Sequence, residues 1–149
     1  VPVIESRVEV SAPIERVMDI ARRVEEFPEF MPDLKSLVVL ERSEDGLRTV
    51  TEWVGMVREF KMTVRWTEED IWDPGERTCR FRMVKGDLTK YEGTWTFEET
   101  ASGTVFSSVI DFEYNVPLVG PLILNIITAK MRQNADNILK AIKEKAEGS

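Results

Sequence analysis

The residue types that most often move protons in enzymes are scarce in this chain. It has no histidine in 149 residues, which removes the Ser-His and Cys-His nucleophile pairs, the imidazole base and most zinc chemistry. Acid–base work would fall to carboxylates, Tyr, Lys, Arg or a positioned water. The carboxylate runs Glu68-Glu69-Asp70 and Glu98-Glu99 fall at the ends of predicted strands and are expected to be solvated rather than paired acids. Arg58, Arg65, Arg80 and Arg82 lie on predicted wet faces or strand ends and read as surface charge. The one cysteine, Cys79, excludes an intrachain disulfide and a thiolate metal cluster, and nothing beside it argues for a lowered pKa. Catalytic residues stay unassigned, and neither metal nor cofactor is expected.

What remains is a set of large side chains, some with polar tips. Phe60, Met62, Trp66, Phe81, Met83, Tyr91 and Trp95 share the inward side of alternating strands, either as packed core or as the lining of an apolar cavity. Tyr91 and the four tryptophans each carry an O–H or N–H that can be presented to a ligand carbonyl. Asn125 and Thr128 interrupt an apolar helical stretch, as a cap or solvent contact or, if inward, as hydrogen-bond partners for a ligand oxygen. Leu124, Ile127 and Met131, on the same helix, complete the candidate ligand-binding set.

These residues need elements to position them. "VIESRVEV" (Val3–Val10) alternates apolar with mostly charged residues and predicts a strand with one wet side. Pro13, behind Ser11 as a candidate cap, opens an amphipathic helix with Val17, Ile20, Ala21 and Val24 on one face. Pro28 and Pro32 break the chain there and leave room for one short helical turn. The period then falls to two, punctuated by turn signals at Ser43–Gly46, Asp73–Glu76, Lys85–Asp87 and Thr100–Gly103. Strands are predicted near 35–42, 47–55, 58–72, 77–85, 90–99 and 104–115. The first two of these carry apolar residues on both sides, and alternation does not orient them. A helix from about Val119 to Ala146 closes the chain, with Ile127, Met131, Asn134 or Ala135, Ile138 and Ile142 on one stripe.

The length is that of one domain spanning 1–149, enough for a core and a pocket. A net charge of −7 repels phosphate backbones, so no nucleic-acid partner is expected. No apolar run is long enough to span a bilayer, so membrane contact is expected to be transient at most. The lone cysteine and the absence of a leader pattern point to a reducing, cytoplasmic setting. Oligomeric state has no signature in the sequence.

Seven strands at about 4.8 Å spacing are roughly 34 Å across, whereas a helix is about 10 Å wide. A flat sheet would leave its aromatic face wet. The sheet is therefore expected to curl around the helix, bending at Gly55, Gly86 or Gly93, with a cavity between the two layers. "LVGPLILNII" (Leu118–Ile127), apolar nearly all round, then reads as buried core or as a gate with Leu118, Leu122 and Ile123 at the cavity mouth.

Three segments carry a likeness: "VEVSAPIERVMDIARRVEEFPEFMPDLKSLVVLER" (Val8–Arg42), "LTKYEGTWTFEE" (Leu88–Glu99) and "FEYNVPLVGPLI" (Phe112–Ile123). The chain resembles the START-like, helix-grip (SRPBCC) superfamily, in its polyketide cyclase/dehydrase and coenzyme-Q-binding branch. The superfamily also includes the bacterial ribosome-association toxin. The resemblance implies an α+β, birch-allergen-like fold in the order β-α-α-β6-α. It also implies a cavity that binds or transports a hydrophobic small molecule: a quinone, a lipid or a polyketide-like compound. A polyketide aromatase/cyclase is the second reading. A ribosome-associated interaction protein is the third, and the acidic charge speaks against it. A carrier predicts few inward charges, whereas a cyclase predicts polar groups converging deep in the cavity. No short motif marks a cyclase site, so no catalytic residue is carried over.

Overall fold

The computed structural model describes residues 3–57, 61–113 and 121–148. Strand β1 (Val3–Val10) leads into helix α1 (Ile14–Arg22) and a 3₁₀ helix (Val24–Glu29). Strands β2 (Leu34–Arg42), β3 (Arg48–Val57), β4 (Met62–Asp73), β5 (Thr78–Gly86), β6 (Lys90–Thr100) and β7 (Gly103–Glu113) follow, and helix α2 (Pro121–Glu147) ends the chain. The seven strands form one antiparallel sheet in the order β1-β7-β6-β5-β4-β3-β2, so the first strand is paired with the last. This is the expected seven-stranded helix-grip architecture. Among the described residues, no helix is long and apolar enough to cross a membrane.

Three details differ from expectation, the first being that α1 stops at Arg22 and leaves Val24 to open the 3₁₀ helix. Strand β4 begins at Met62 rather than at residue 58, after Lys61 in a turn with φ of 50°. Ser11 does not cap α1: Pro13 holds that position without a side-chain bond, and the Ser11 backbone N–H instead donates to Glu147 Oε2 at 2.8 Å. The expected strand end at Asn115 and helix start at Val119 lie outside the described residues.

The two strands that alternation left unoriented are explained by what they carry. Strand β2 slips register between Leu34 and Ser36 and again between Val39 and Glu41, so no single period runs along it. Strand β3 turns Thr49, Thr51 and Trp53 inward while Val50 and Val54 are also buried, on its other side. The sheet closes tightly at two of the expected glycines. An added Cβ at Gly86 would come within 2.6 Å of Trp66 Cβ, beside the β4–β5 register shift at Thr67/Glu68. At Gly93 it would come within 2.7 Å of the Phe81 ring.

Helix α2 lays Ala135, Leu139, Ile142 and Ala146 on the core at four-residue intervals or nearly so, with Ile127, Met131 and Ile138 half-buried beside them. Its far end is tied to α1. The Arg16 guanidinium donates to the backbone carbonyls of Ala146 at 2.7 Å, Gly148 at 2.9 Å and Lys145 at 3.3 Å, groups that a helix terminus otherwise leaves without a partner.

Candidate functional site

Alternation along β4 does not stop at Trp66. Trp66, Glu68, Asp70 and Trp72 hold successive inward positions, so two carboxyl groups pass beneath the sheet between two indoles. Glu68 is 4% exposed and Asp70 5%. This corrects the expectation that Glu68-Glu69-Asp70 is solvated. Only Glu69 faces out, where Arg48 at 2.7 Å and Arg82 at 3.1 Å hold its carboxyl below the ordinary range. Glu98, Glu99, Arg65, Arg80 and Arg82 are exposed as expected.

A buried carboxylate needs donors, and neighbouring residues supply them. Asp70 Oδ2 accepts from Thr51 Oγ1 at 2.9 Å and from Thr49 Oγ1 at 3.2 Å, both on the adjacent strand β3. Trp53 Nε1 donates to the same Thr51 hydroxyl at 2.8 Å, and Trp66 Nε1 donates to Glu68 Oε1 at 2.7 Å. Glu68 and Asp70 are also hydrogen-bonded to each other.

Burial, then the Asp70 charge and the bond between them, pushes the Glu68 carboxyl well above its ordinary value. Burial raises Asp70 too, against the pull of its bonds from Glu68, Thr51 and Thr49. Both carboxyls are therefore held above the range of solvated ones, and they titrate as a pair. Burial and the carboxyl charges push the Tyr91 phenol and the Cys79 thiol upward, so both stay neutral.

Two spaces meet here. The inner one is about 30 Å³, room for a water or one polar group, and Glu68, Asp70, Tyr91 and Ser108 line it among apolar walls. The Ser108 hydroxyl is fully buried and has no hydrogen-bond partner among the described residues. The outer space is about 300 Å³, at the small end of ligand-site volumes. It lies between the Phe30–Leu34 segment, the sheet at Trp53, Gly55 and Trp66, and α2 at Asn134, Asn137, Ile138, Lys140, Ala141 and Glu144. Trp53 and Ile138 border both spaces and stand between them.

Of the candidate ligand-binding residues, Trp66 borders the outer space, and Phe81, Tyr91 and Trp95 border the inner one. Met83 and Leu124 are half-buried and line neither. Ile127 and Met131 pack against the core, and Asn125 is exposed. Thr128 Oγ1 donates to the Leu124 carbonyl at 2.8 Å, a bond within its own helix. Leu122 is 72% exposed, and the α2 lining begins at Asn134, about three turns further along. Phe60 and Leu118, and the side chains of Met62 and Ile123, lie outside the described part of the structure. Thr49, Thr51, Trp53, Glu68, Asp70 and Ser108 are the site residues that the sequence did not single out. For the two carboxyls the signal was available, as the period of two running from Trp66 to Trp72. Among the described residues no cluster of His, Cys, Asp and Glu is placed to hold a metal ion.

Comparison with known proteins agrees with this architecture. The family model for polyketide cyclase / dehydrase and lipid transport matches residues 10–143. The ribosome association toxin RatA of Pseudomonas aeruginosa is 24% identical over 136 residues, 91% of this chain and 88% of the toxin. Among solved structures, TTHA0849 from Thermus thermophilus superimposes with a TM-score of 0.90 at 31% identity, covering 97% of both chains. The ZhuI aromatase/cyclase of Streptomyces sp. R1128 superimposes with a TM-score of 0.88 at 19% identity, covering 98% of this chain and 93% of that one. The match across nearly the whole length shows that the chain belongs to the polyketide cyclase/dehydrase and lipid-transport family, a membership that supports a hydrophobic-ligand-binding or aromatase/cyclase role.

Proposed function

We propose that this chain binds a ring-bearing, oxygenated hydrophobic molecule, quinone-like or polyketide-like, in the outer cavity with its oxygen directed between Trp53 and Ile138 toward Glu68 and Asp70. The observation that carries this is a space of about 300 Å³ that shares Trp53 and Ile138 with the small chamber lined by Glu68 and Asp70. The stacked faces of Trp53 and Trp66 offer a flat apolar wall suited to a planar ring. Protonated Glu68 donates to a carbonyl oxygen, and Asp70 accepts from a hydroxyl. A saturated lipid tail makes no use of either group.

The converging polar groups also favour the second reading, an aromatase/cyclase-type enzyme, over a purely passive carrier. The binding reading is tested by mass spectrometry of an organic extract from natively purified protein, beside a denatured control. A stoichiometric aromatic or quinone compound found only in the native sample supports it. A fatty-acyl lipid in its place turns the assignment to lipid carriage. An empty extract, together with no change in tryptophan emission on titration with planar aromatic ketones, overturns it.

A further inference from the structure

We infer that the inner chamber is a proton-transfer site in which Asp70 and Glu68 act as base and acid on an enolisable ketone, one with a C–H beside its carbonyl. This rests on the binding reading above and adds chemistry to it. The first support is placement. Inward positions 68 and 70 of one strand bring the two carboxyls to a common wall of the chamber, bonded to each other. Asp70 Oδ2 is committed to Thr49 and Thr51, and Glu68 Oε1 to Trp66. Asp70 Oδ1 and Glu68 Oε2 take part in none of these three bonds.

The second support is independent of the carboxyls. Ser108 comes from β7 and is 1% exposed, yet its hydroxyl on the same chamber has no partner among the described residues. A buried hydroxyl without a partner is costly, and a ligand carbonyl oxygen beside it removes that cost. The chamber admits about one functional group, so the body of the molecule stays in the outer cavity while its carbonyl and adjoining carbon pass Trp53 and Ile138. Elimination is the third support. The chain has no histidine, and Tyr91 and Cys79 hold their protons, so a base at this position has to be a carboxylate. Burying two carboxyls also costs the fold stability, and a role in chemistry accounts for their being kept there.

The step balances within the site. Asp70 carboxylate takes the proton from the α-carbon, and that C–H electron pair becomes the new C=C bond. The carbonyl π pair takes the proton from Glu68 and becomes O–H, giving the enol. Asp70 then carries the proton and Glu68 is ionised. Transfer across the hydrogen bond between them restores the starting pair. No oxidant, reductant or other co-reactant enters.

The probe is 2-tetralone, an aromatic ketone with acidic α-hydrogens, incubated with the full chain in deuterium oxide. Deuterium gain is followed by NMR, and binding is followed separately by tryptophan emission. The expected result is exchange well above buffer. Glu68→Gln and Asp70→Asn should each lower the exchange rate of the bound ketone, at saturating 2-tetralone, by about 100-fold. Both variants keep the size of the side chain, and Glu69→Gln, which alters the outward neighbour, should keep full exchange. Binding without exchange in the unaltered chain, or undiminished exchange in both inward variants, overturns the inference and leaves the cavity assignment standing. Failure of 2-tetralone to bind at all overturns the inference together with the ring-bearing ligand assignment.

Discussion

Trp53 and Trp66 are register partners on β3 and β4, and their rings stack 5.6 Å apart with planes 14° from parallel. Each indole is also pinned at its edge, Trp53 by the Thr51 hydroxyl and Trp66 by the Glu68 carboxyl. The wall of the outer cavity and the buried acid pair are therefore one hydrogen-bonded assembly. A change in the protonation of Glu68 reaches the wall through a single bond.

All four tryptophans border one of the two spaces, which makes intrinsic emission a direct reporter of occupancy. Titration with a planar aromatic ketone should shift or quench it. Trp53→Phe and Trp66→Phe should lower the amplitude more than Trp72→Phe, because those two border the outer cavity and Trp72 the inner one. Equal losses in all three would argue for ligand elsewhere.

The carboxyl pair should make stability fall as pH rises. Glu68 and Asp70 both have folded values above their unfolded ones, so their favourable contribution is complete below the ordinary carboxylate range, about 4. It is lost as pH climbs through the raised folded values. Tyr91 and Cys79 line the chamber with the pair and Glu69 acts on Asp70 from the outer side of the strand, while Asp33, Lys140 and Glu144 line the outer space. Thermal midpoints measured from mildly acidic to mildly alkaline pH should decline, and Glu68→Gln should flatten the decline and raise the alkaline end. A parallel decline in that variant would assign the effect to other groups.

Trp95 sits in a cage of rings, 5.4 Å from Phe106, 5.8 Å from Phe81 and 6.4 Å from Trp72. Trp95→Ala should cost about 3–5 kcal/mol in a denaturant titration, as for other buried aromatic truncations. A near-neutral result would mean that the cage is not close-packed.

Leu122 lies at the other extreme, with most of its surface in solvent. Leu122→Asp should leave folding stability within about 0.5 kcal/mol of the unaltered chain. Ligand uptake should be unchanged if entry is by the Phe30–Leu34 side. A selective loss of uptake would instead place the mouth at the start of α2.

The sheet was legible because one of its faces is wet. Cys79 and Phe81, Trp95 and Phe97, and Phe106, Ile110 and Phe112 alternate with polar or solvent-facing neighbours, and each is buried. The orientation of strand β2 was not legible because its register slips break the period, and that of β3 because valines are buried opposite its inward threonines. Glu68 and Asp70 were missed for a different reason. Three consecutive acids look like surface in composition, and what makes the inward two tolerable is a pair of hydroxyls about twenty residues away on β3. The periodicity pointed inward, but the compensation that permits it is not local.

The ties between the ends of the chain bear on how this domain is born. Strand β1 has no partner until β7 exists, and Arg16 has no acceptors until Lys145, Ala146 and Gly148 have been made. A nascent chain emerging from its N-terminus can form hairpins early, but its edge strand and first helix wait for almost the last residue. Such long-range closure puts the domain among slow folders, on a timescale of about milliseconds to seconds. Its aromatic inner face is therefore exposed throughout synthesis, the interval in which a chaperone or an early-bound ligand would matter most.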